Sequence, residues 1–441
     1  MPRTYYIATM GCQMNEYDSD YVGRLLQEAC YLPADAPEAA DLVLINTCAV
    51  REKSEQKAFS LLGRMLSLKK RRPGMILGMM GCVAQKRGRT LLERYPDLDL
   101  VLGTRELNRF SEILQELEKG EGGLAATELS REPAPTVIKK GFFKGRVKGF
   151  ITIMEGCNNF CTYCVVPYVR GREVSRAPHE IMREAKYLVE EGVKEITLLG
   201  QNVNSYFHHQ EQKTGFVDLL RMLHRLEDLR RIRFTTSHPK DLTPELIRSF
   251  DEMEKLCSYI HLPFQAGSNR VLRAMNRGYT REKYLDLIEQ LRGNRADMAV
   301  SSDVMVGFPG ETLEDFEQTL DLIEKVQFDG LYSFKYSDRE GTRAAGFTNK
   351  IPEPEKIERL AELQKLQKSV TFERNEKMIG KVVEVLIEGA SRKNDQITGR
   401  TSNNKIVNFS YNNSIIGNFI KVRIMSACAN SLRGEIPCVT D

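Results

Sequence analysis

The sequence has no long apolar run and no strong excess of charge. Its longest uncharged apolar stretch, residues 74–84, is far shorter than the roughly 20 residues that a membrane-spanning helix needs. The first residues, MPRTYYIATMG, lack the apolar core of a signal peptide. We therefore expect a cytoplasmic protein with no membrane contact. The net charge of only +4 gives no overall sign of nucleic-acid binding, although local basic clusters could still provide it.

Cysteine, in contrast, is abundant. The 441-residue chain predicts two or three domains, and its 41% hydrophobic and 28% charged residues are typical of a globular protein. It contains ten cysteines. Because the cytoplasm keeps thiols reduced, we do not expect structural disulfides. Metal or redox chemistry is the natural interpretation of so many thiols.

Strands alternate with helices in the first domain, which we predict to span residues 1–125. We expect helices after Asn15 and over 51–66 and 85–95, and this alternation predicts a parallel sheet covered by helices. The predicted strands are 5–11, 41–47, 74–81 and 98–104. Residues 126–148 are predicted to form a basic linker, since residues 131–150 hold six Lys or Arg against one Glu.

The same alternation returns in a second domain, predicted over residues 149–375. Six β/α units would form an open sheet or an incomplete barrel, and in both folds ligands bind at the carboxyl ends of the strands. The predicted strands are 149–156, 195–202, 231–238, 259–265, 300–310 and 331–337. A charged helical connector over 353–379 leads into the third domain.

Residues 376–441 differ from the two preceding domains because apolar and polar residues alternate in them, as in half-buried strands. We predict strands at 381–389, 404–411 and 418–426. The overall fold class is therefore α/β, with an N-terminal parallel sheet domain, a central partial barrel and a small C-terminal all-β barrel. Small barrels of this kind often bind oligonucleotides.

Three cysteines follow three consecutive predicted strands of the first domain. Cys12, Cys48 and Cys82 come directly after the first, second and third strands. Because the ends of parallel strands lie side by side, we expect the three thiols to converge at one rim, where helix N-termini favour thiolates. The alternative is three unrelated buried cysteines, since free cysteine is often buried.

Three further cysteines, Cys157, Cys161 and Cys164, lie close together after the first strand of the second domain. A structural zinc site and an iron–sulfur cubane both normally take four protein ligands. The next candidate ligands, His179 and His208, are distant in sequence. A cubane held by three cysteines would leave one iron open to a small molecule, whereas a zinc loop is the alternative.

The Cys-x-x-x-Cys-x-aromatic-Cys pattern, with Tyr163 as its aromatic residue, resembles the radical S-adenosylmethionine (SAM) superfamily. The resemblance implies a partial barrel of six β/α units and a [4Fe-4S] cluster whose open iron binds SAM for reductive cleavage to methionine and a 5′-deoxyadenosyl radical. It also implies that HLPFQAGS, around His261 and Gln265, lies beside the substrate. The implied SAM-binding residues are Tyr163, Gly200, Gln201, Asn202, Gly307, Gly310 and Glu311.

Two three-cysteine sets in one chain resemble the methylthiotransferases of that superfamily. The resemblance includes GCQMNEYDS, INTCAVREKSE, GCVAQ, LLGQNVNSY and SHPKD, and the C-terminal strands resemble the RNA-binding TRAM domain. It implies two [4Fe-4S] clusters, with the auxiliary one on Cys12, Cys48 and Cys82. One departure is SDREGTRAA, where Asp338 and Glu340 occupy positions at which we expect prolines.

Branches of this family differ in substrate. LLGQNVNSY and CVVPYVRGRE resemble the branch that adds a methylthio group to carbon 2 of isopentenyladenosine in tRNA. Other branches modify threonylcarbamoyladenosine in tRNA or an aspartate of a ribosomal protein, and both remain alternatives. The resemblance implies two SAM molecules, one as methyl donor and one as radical source.

The implied partners are a tRNA anticodon stem-loop, an external electron donor, and a sulfur donor or iron–sulfur carrier, and we expect a monomer. Phosphate contacts would come from the basic clusters at 69–72 and 139–148 and from the third domain, which has nine Lys or Arg against six Asp or Glu. Each charge run could instead be a solvated face.

Two alternatives belong to other classes of protein, namely an RNA-binding iron–sulfur electron-transfer protein and a zinc-stabilised RNA-binding module. The sequence indicates no catalytic residue beyond the clusters. Four cysteines fit no cluster pattern and receive no function: Cys30, Cys257, Cys428 and Cys438.

Overall fold

The structure is a computed structural model that describes residues 2–49, 52–129, 132–209, 213–391, 396–410 and 416–437. It consists of an N-terminal parallel sheet, a central six-stranded arc and a C-terminal barrel, so the predicted fold class is confirmed. Across these described ranges, every helix is too short or too polar to cross a bilayer.

The N-terminal part is a six-stranded parallel sheet in the order β2-β1-β3-β4-β5-β6. Helices cover both faces, which is why all six residues of the third strand are buried. The short edge strands β2 and β6 are additional to the four predicted ones. The elements are β1 (Thr4–Thr9), α1 (Gln13–Glu28), β2 (Leu32–Pro33), β3 (Leu42–Thr47), α2 (Glu52–Arg71), β4 (Ile76–Gly81), α3 (Cys82–Arg87), α4 (Thr90–Arg94), β5 (Leu100–Leu102), α5 (Phe110–Glu118) and β6 (Leu124–Ala126).

The central part contains six main parallel strands in two three-stranded sheets. Their orders are β7-β10-β13 and β14-β15-β16, and a bridge between Ile232 and Leu256 joins the two sheets. The six main strands are β7 (Lys148–Thr152), β10 (Glu195–Leu199), β13 (Arg231–Thr235), β14 (Tyr259–His261), β15 (Ala299–Val306) and β16 (Gly330–Lys335). Two short pairs accompany them, β8 (Met154–Glu155) with β9 (Val174–Ser175) and β11 (Phe207–His208) with β12 (Thr214–Gly215).

Helices pack around the outside of this arc and enclose the largest apolar core of the chain. The last of them is the predicted connector, which packs along the final strand of the arc. The helices are α6 (Val166–Val169), α7 (Pro178–Glu190), α8 (Phe216–His224), α9 (Pro244–Glu252), α10 (Asn269–Ala274), α11 (Arg281–Asn294), α12 (Leu313–Val326) and α13 (Glu353–Glu376).

The C-terminal part is a closed five-stranded barrel in the order β17-β18-β19-β21-β20. Three of its strands were predicted, although Tyr411 at the end of one prediction lies outside the described residues. The strands are β17 (Val382–Ala390), β18 (Ile397–Thr401), β19 (Ile406–Phe409), β20 (Phe419–Ala427) and β21 (Leu432–Glu435).

The turn between β18 and β19 docks against the central arc. Arg233 donates to the carbonyl oxygens of Thr401 (2.7 Å) and Ser402 (2.9 Å), and its Nε lies 2.9 Å from the carboxylate of Glu195. The backbone N–H of Ser258 donates to the hydroxyl of Ser402 at 3.0 Å. The barrel is therefore fixed to the arc by buried, directional bonds.

Replacing Arg233 by Ala should destabilise the central part, because the buried carboxylate of Glu195 would lose its closest cation. We expect the free energy of unfolding to fall by about 3–5 kcal/mol in urea denaturation followed by circular dichroism. The matched control is Arg221→Ala, which removes an exposed ion pair with Glu245 and should change stability little. Equal losses in the two variants would contradict a specific role for the buried pair.

Candidate functional site: two cysteine sets joined by one segment

The structure brings Cys12, Cys48 and Cys82 together at the carboxyl rim of the N-terminal sheet. Cys12 immediately precedes α1, Cys48 follows β3, and Cys82 begins α3 directly after β4. The thiol of Cys48 hydrogen-bonds that of Cys12, and this bond lowers the pKa of the Cys12 thiol to about 5. Burial raises the pKa of the Cys82 thiol, and the charge on Cys12 raises it further. The three sulfurs thus share one electrostatic environment.

Two buried asparagines fix the geometry of this rim. The Oδ1 of Asn15 lies 3.1 Å from the sulfur of Cys12, and its side-chain amide donates to Asn46 (2.7 Å) and to the carbonyl of Thr47 (2.9 Å). The start of α1 is thereby tied to the end of β3, which leads into Cys48. The sequence prediction missed both asparagines, although a polar Asn46 within the apolar strand LVLINT is a usable signal.

A buried arginine from the central part also reaches this rim. Arg170 donates to the carboxylate of Asp18 at 2.6 Å, and its positive charge opposes the rise in the pKa of the Cys82 thiol. Its positive charge also helps to lower the pKa of Cys12. Burial raises the pKa of the Asp18 carboxyl to about 7, although Arg170 opposes that shift.

Cys157, Cys161 and Cys164 lie in the loop between β8 and α6. Burial raises the pKa of the Cys164 thiol to about 12, and the charges of the neighbouring Cys161 and Cys157 contribute to this rise, so the three sulfurs interact electrostatically. A second buried arginine, Arg277, donates to the sulfur of Cys161 at 3.4 Å. The sequence prediction did not identify this arginine.

The same loop is held in place at its centre. The backbone N–H and the hydroxyl of Thr162 donate to the carbonyls of Met275 (3.0 Å) and Ala274 (2.9 Å) at the end of α10. Asn276 donates to the carbonyl of Asn159 at 3.0 Å. The cysteine loop is therefore held in place by hydrogen bonds to the end of α10 and the residues that follow it.

Both sets have the chemistry that an iron–sulfur cluster requires. Each offers three thiols beside a buried arginine, and iron–sulfur clusters are held by cysteine thiolates and stabilised by hydrogen bonds to sulfur. In the part of the chain that the structure describes, no group of three His, Cys, Asp or Glu side chains is close enough to hold a single metal ion. The thiols of each set fit the ligand chemistry of an iron–sulfur cluster.

The predicted SAM residues at the end of β10 have distinct surroundings. Gln201 accepts a hydrogen bond from the backbone N–H of Gly156, next to Cys157. Asn202 donates to Asp241 at 2.7 Å, and its buried Oδ1 has no hydrogen-bond partner among the described residues. Gly200 packs directly against Met154.

Two residues that the sequence prediction did not include have similarly unsatisfied atoms at the end of β13. The buried hydroxyl of Ser237 and the Nε2 of His238 have no hydrogen-bond partner within the described ranges. Burial lowers the pKa of His238 to about 2, with Arg277 and Lys240 adding to the shift, so its ring is neutral at physiological pH. The ends of β10 and β13 therefore carry buried neutral polar atoms that have no partner in the described part of the chain.

The second predicted SAM segment follows β15. Glu311 accepts hydrogen bonds from the backbone N–H of Gly307 (2.5 Å) and from Arg359 (2.7 Å), which tie this turn to α13. Gly310 has no side chain closer than 3.9 Å to the position that a Cβ would take. Tyr163 is half-buried and lies within electrostatic reach of Cys161. SAM binding by these residues stays a prediction.

His261 is the last residue of β14. The family resemblance implies that it lies beside the substrate. Its Nδ1 hydrogen-bonds the hydroxyl of Ser301 at 2.9 Å, and its Nε2 lies 3.5 Å from Asp303. Gln265 is buried at the start of the following loop. A direct contact of either residue with substrate stays a prediction.

Residues 165–172, which we call the bridging segment, join the two cysteine sets. Val165 and Val169 are buried in the core of the N-terminal sheet. Thr104 donates to the carbonyl of Val169 at 2.7 Å, and Arg105 donates to the carbonyls of Arg170 (3.0 Å) and Arg172 (2.9 Å). The segment begins directly after Cys164, so it positions one set relative to the other.

A buried ionic network strengthens the same interface. Glu184 on α7 accepts hydrogen bonds from Arg176 (2.8 Å) and Arg24 (3.1 Å), and Tyr17 donates to it at 3.2 Å. Burial would raise the pKa of Glu184, but the two guanidinium groups outweigh burial and hold the pKa below its usual value. The carboxylate is therefore ionised and links α1 to α7.

The two departures from the family pattern take part in ion pairs. Asp338 pairs with Lys350 and accepts a hydrogen bond from Tyr336 at 2.9 Å. Glu340 lies 3.7 Å from both Lys86 and Arg87, the last two residues of α3. The loop thus contacts the N-terminal part. Among the remaining cysteines, Cys257 is buried and Cys30 is exposed, whereas Cys438 lies outside the described residues.

Three known families match parts of the chain. The radical SAM superfamily matches residues 151–323, an uncharacterized protein family, UPF0004, matches residues 4–103, and the TRAM domain matches residues 376–436. The three matches follow the three parts of the fold. The radical SAM match implies SAM and a [4Fe-4S] cluster as cofactors.

Curated relatives match almost the whole chain. A tRNA-2-methylthio-N(6)-dimethylallyladenosine synthase from Syntrophus aciditrophicus is 47% identical over 98% of this chain and 94% of the relative. One from Geobacter sulfurreducens is 49% identical over 99% and 97% of the two chains. In fold, the chain is similar to the radical S-adenosylmethionine methyltransferase TsrM from Kitasatospora setae, with a TM-score of 0.58, 15% identity, and coverage of 78% of this chain and 74% of the other.

Replacing Gly156 by Ala should disrupt the loop that carries Cys157. Gly156 has a φ of +79°, and a Cβ there would lie 2.1 Å from the carbonyl oxygen of Arg172. We expect iron bound after anaerobic reconstitution to fall by about half, because the other cysteine set is untouched.

The control for this variant is Gly171→Ala. Gly171 has a similar φ of +74°, but a Cβ there would lie no closer than 3.8 Å to another atom. Both variants share a cost of about 1–2 kcal/mol for the left-handed backbone. Equal iron contents would show that the contact between Gly156 and Arg172 does not shape the loop.

Proposed function

Because the chain belongs to the family of tRNA-2-methylthio-N(6)-dimethylallyladenosine synthases, we propose that it adds a methylthio group to carbon 2 of N(6)-isopentenyladenosine beside the anticodon of tRNA. The observation that carries this proposal is the presence of two three-cysteine sets joined by the bridging segment. An enzyme that both generates a radical and supplies sulfur needs two such centres close together.

We assign one cluster to each cysteine set. Cys157, Cys161 and Cys164 would hold the [4Fe-4S] cluster of the radical SAM domain, and a second cluster would occupy Cys12, Cys48 and Cys82. When bound, the clusters supply reductive cleavage of SAM and a site for the sulfide that is transferred. One SAM serves as radical source and a second as methyl donor. The proposed domains are 1–125, 149–375 and 376–441, with a linker over 126–148.

The reaction explains why cofactor chemistry is needed. Carbon 2 of adenine carries a hydrogen that is not acidic enough for a side-chain base and cannot leave as hydride, so the cofactor supplies the reactivity and the protein supplies geometry. Arg277 holds the sulfur of Cys161, and Gln201 holds the backbone before Cys157. The neutral ring of His238 adds no charge beside this loop.

Substrate binding would rely on single-stranded RNA recognition. A base in an anticodon loop can be turned out into a protein pocket. The basic clusters are partly engaged within the protein, since Lys69 pairs with Asp99 and Arg146 with Asp20. We therefore assign phosphate contacts to the exposed Lys140 and to the C-terminal barrel.

Further partners follow from the proposed chemistry. The enzyme requires an external electron donor to reduce the cluster that cleaves SAM, and a sulfur donor or iron–sulfur carrier to renew the transferred sulfur. We propose a monomer located in the cytoplasm.

The test incubates anaerobically reconstituted protein with SAM, a reductant and tRNA that carries isopentenyladenosine. We expect mass spectrometry of the digested nucleosides to show the methylthio product, and no product from tRNA that lacks the isopentenyl group. If product formed instead from threonylcarbamoyladenosine or from a ribosomal protein, the chain would belong to another branch of the methylthiotransferases. Retained clusters without SAM cleavage would indicate an electron-transfer protein.

The informative variant in the same assay is Cys48→Ala, with the buried Cys257→Ala as control. Loss of the auxiliary set should abolish methylthiolation while 5′-deoxyadenosine still forms, because the radical SAM set is intact. The control should keep both activities. Complete loss of SAM cleavage in Cys48→Ala, with that cluster intact, would contradict separate roles for the two sets.

A further inference from the structure

We propose that Arg170 is a positioning residue through which the radical SAM domain sets the electrostatic environment, and hence the reduction potential, of the auxiliary cluster. The inference rests on the proposed function, since it requires a cluster at Cys12, Cys48 and Cys82. The proposal assigns a role to a residue that belongs to neither cysteine set.

The contacts of Arg170 lie on the auxiliary rim, although the residue belongs to the bridging segment. Its side chain is 3% exposed and donates to the carboxylate of Asp18, which is 2% exposed, at 2.6 Å. The preceding residue, Val169, packs in the same apolar cluster as Cys82, and the charge of Arg170 acts on the thiols of Cys82 and Cys12. A full positive charge is thus held, with little screening by water, beside two of the three proposed ligands.

The backbone leaves this charge little freedom to move. Arg105 donates to the carbonyl of Arg170 itself, and Thr104 fixes the preceding residue. The following residue, Gly171, accepts a hydrogen bond from the backbone N–H of Cys157 at 3.2 Å. One end of the radical SAM cysteine loop and the guanidinium at the auxiliary rim are therefore parts of one fixed unit.

The Nη1 of Arg170 is a buried hydrogen-bond donor that has no partner among the described residues. A buried donor without a partner is costly, so such groups usually meet a ligand. A negatively charged cluster sulfur at this rim would accept a hydrogen bond from this donor and would also interact with the full charge of the guanidinium.

The positive charge of Arg170 predicts the direction in which the reduction potential of the auxiliary cluster shifts. Reduction adds an electron to the cluster, and a nearby positive charge stabilises that electron, whereas a nearby carboxylate destabilises it. Hydrogen bonds to cluster sulfurs and local charge are the usual determinants of cluster potential. Arg170 should therefore raise the potential of the auxiliary cluster, and Asp18 should lower it.

The experiment measures the midpoint potential of the auxiliary cluster alone, by redox titration monitored by electron paramagnetic resonance. The background is the full chain with Cys157, Cys161 and Cys164 replaced by Ala. Titration at about pH 8.5 keeps the Asp18 carboxyl ionised, because burial gives it a pKa of about 7.

In this background Arg170→Gln should lower the midpoint potential of the auxiliary cluster. Arg170→Lys keeps the positive charge, so its potential should stay close to that of the background protein. Asp18→Asn should move the potential in the opposite direction. Both neutral substitutions break the same buried pair, so a loss of stability alone cannot produce shifts of opposite sign.

The matched control is Arg176→Gln. Arg176 is an equally buried arginine of the same interface that pairs with Glu184 and not with the cysteine rim. It should lower the melting temperature without moving the potential. Equal potentials in wild type, Arg170→Gln and Asp18→Asn, or shifts of the same sign, would overturn the inference while leaving the proposed function intact. Absence of iron from the background protein would overturn both.

Discussion

The hydrogen bonds that hold the bridging segment determine the relation between the two cysteine sets. Thr104 and Arg105, on the N-terminal sheet, bind three carbonyl groups of a segment that begins directly after Cys164. Because the donors and acceptors are all buried or half-buried, breaking any one of them would leave a polar group unsatisfied. The positions of the auxiliary rim and the radical SAM loop are thus fixed by the same few bonds. Two-centre chemistry on one small base requires such a fixed relation.

Electrostatics supports the same arrangement. Each cysteine set has its own buried arginine, and each arginine is held by partners other than sulfur, Asp18 for Arg170 and the carbonyl of Pro263 for Arg277. Glu184, paired with two arginines, connects the domains without placing net negative charge near either set. Positive charge is therefore concentrated where thiolates and cluster sulfurs would need it, while the surrounding interface is close to neutral.

Much of this could be predicted from sequence. Cysteines at consecutive strand ends predicted convergence, because parallel strands place their carboxyl ends at one rim, and the alternation of strands and helices predicted the sheets. The residues that orient the cysteines were missed. Asn15, Arg170 and Arg277 act through contacts between distant segments, which no local spacing encodes. The docking of the β18–β19 turn through Arg233 was missed for the same reason. The surroundings of the predicted SAM residues also depend on such tertiary detail, as Glu311 illustrates by accepting a hydrogen bond from Arg359.

The most direct test of the account is an iron anomalous difference map from crystals of the reconstituted protein grown without oxygen. We expect two separate iron peaks, one bounded by Cys157, Cys161 and Cys164 and the other by Cys12, Cys48 and Cys82, with the side chain of Arg170 against the second. A single iron peak at the radical SAM loop, with the three N-terminal cysteines unligated, would contradict the account.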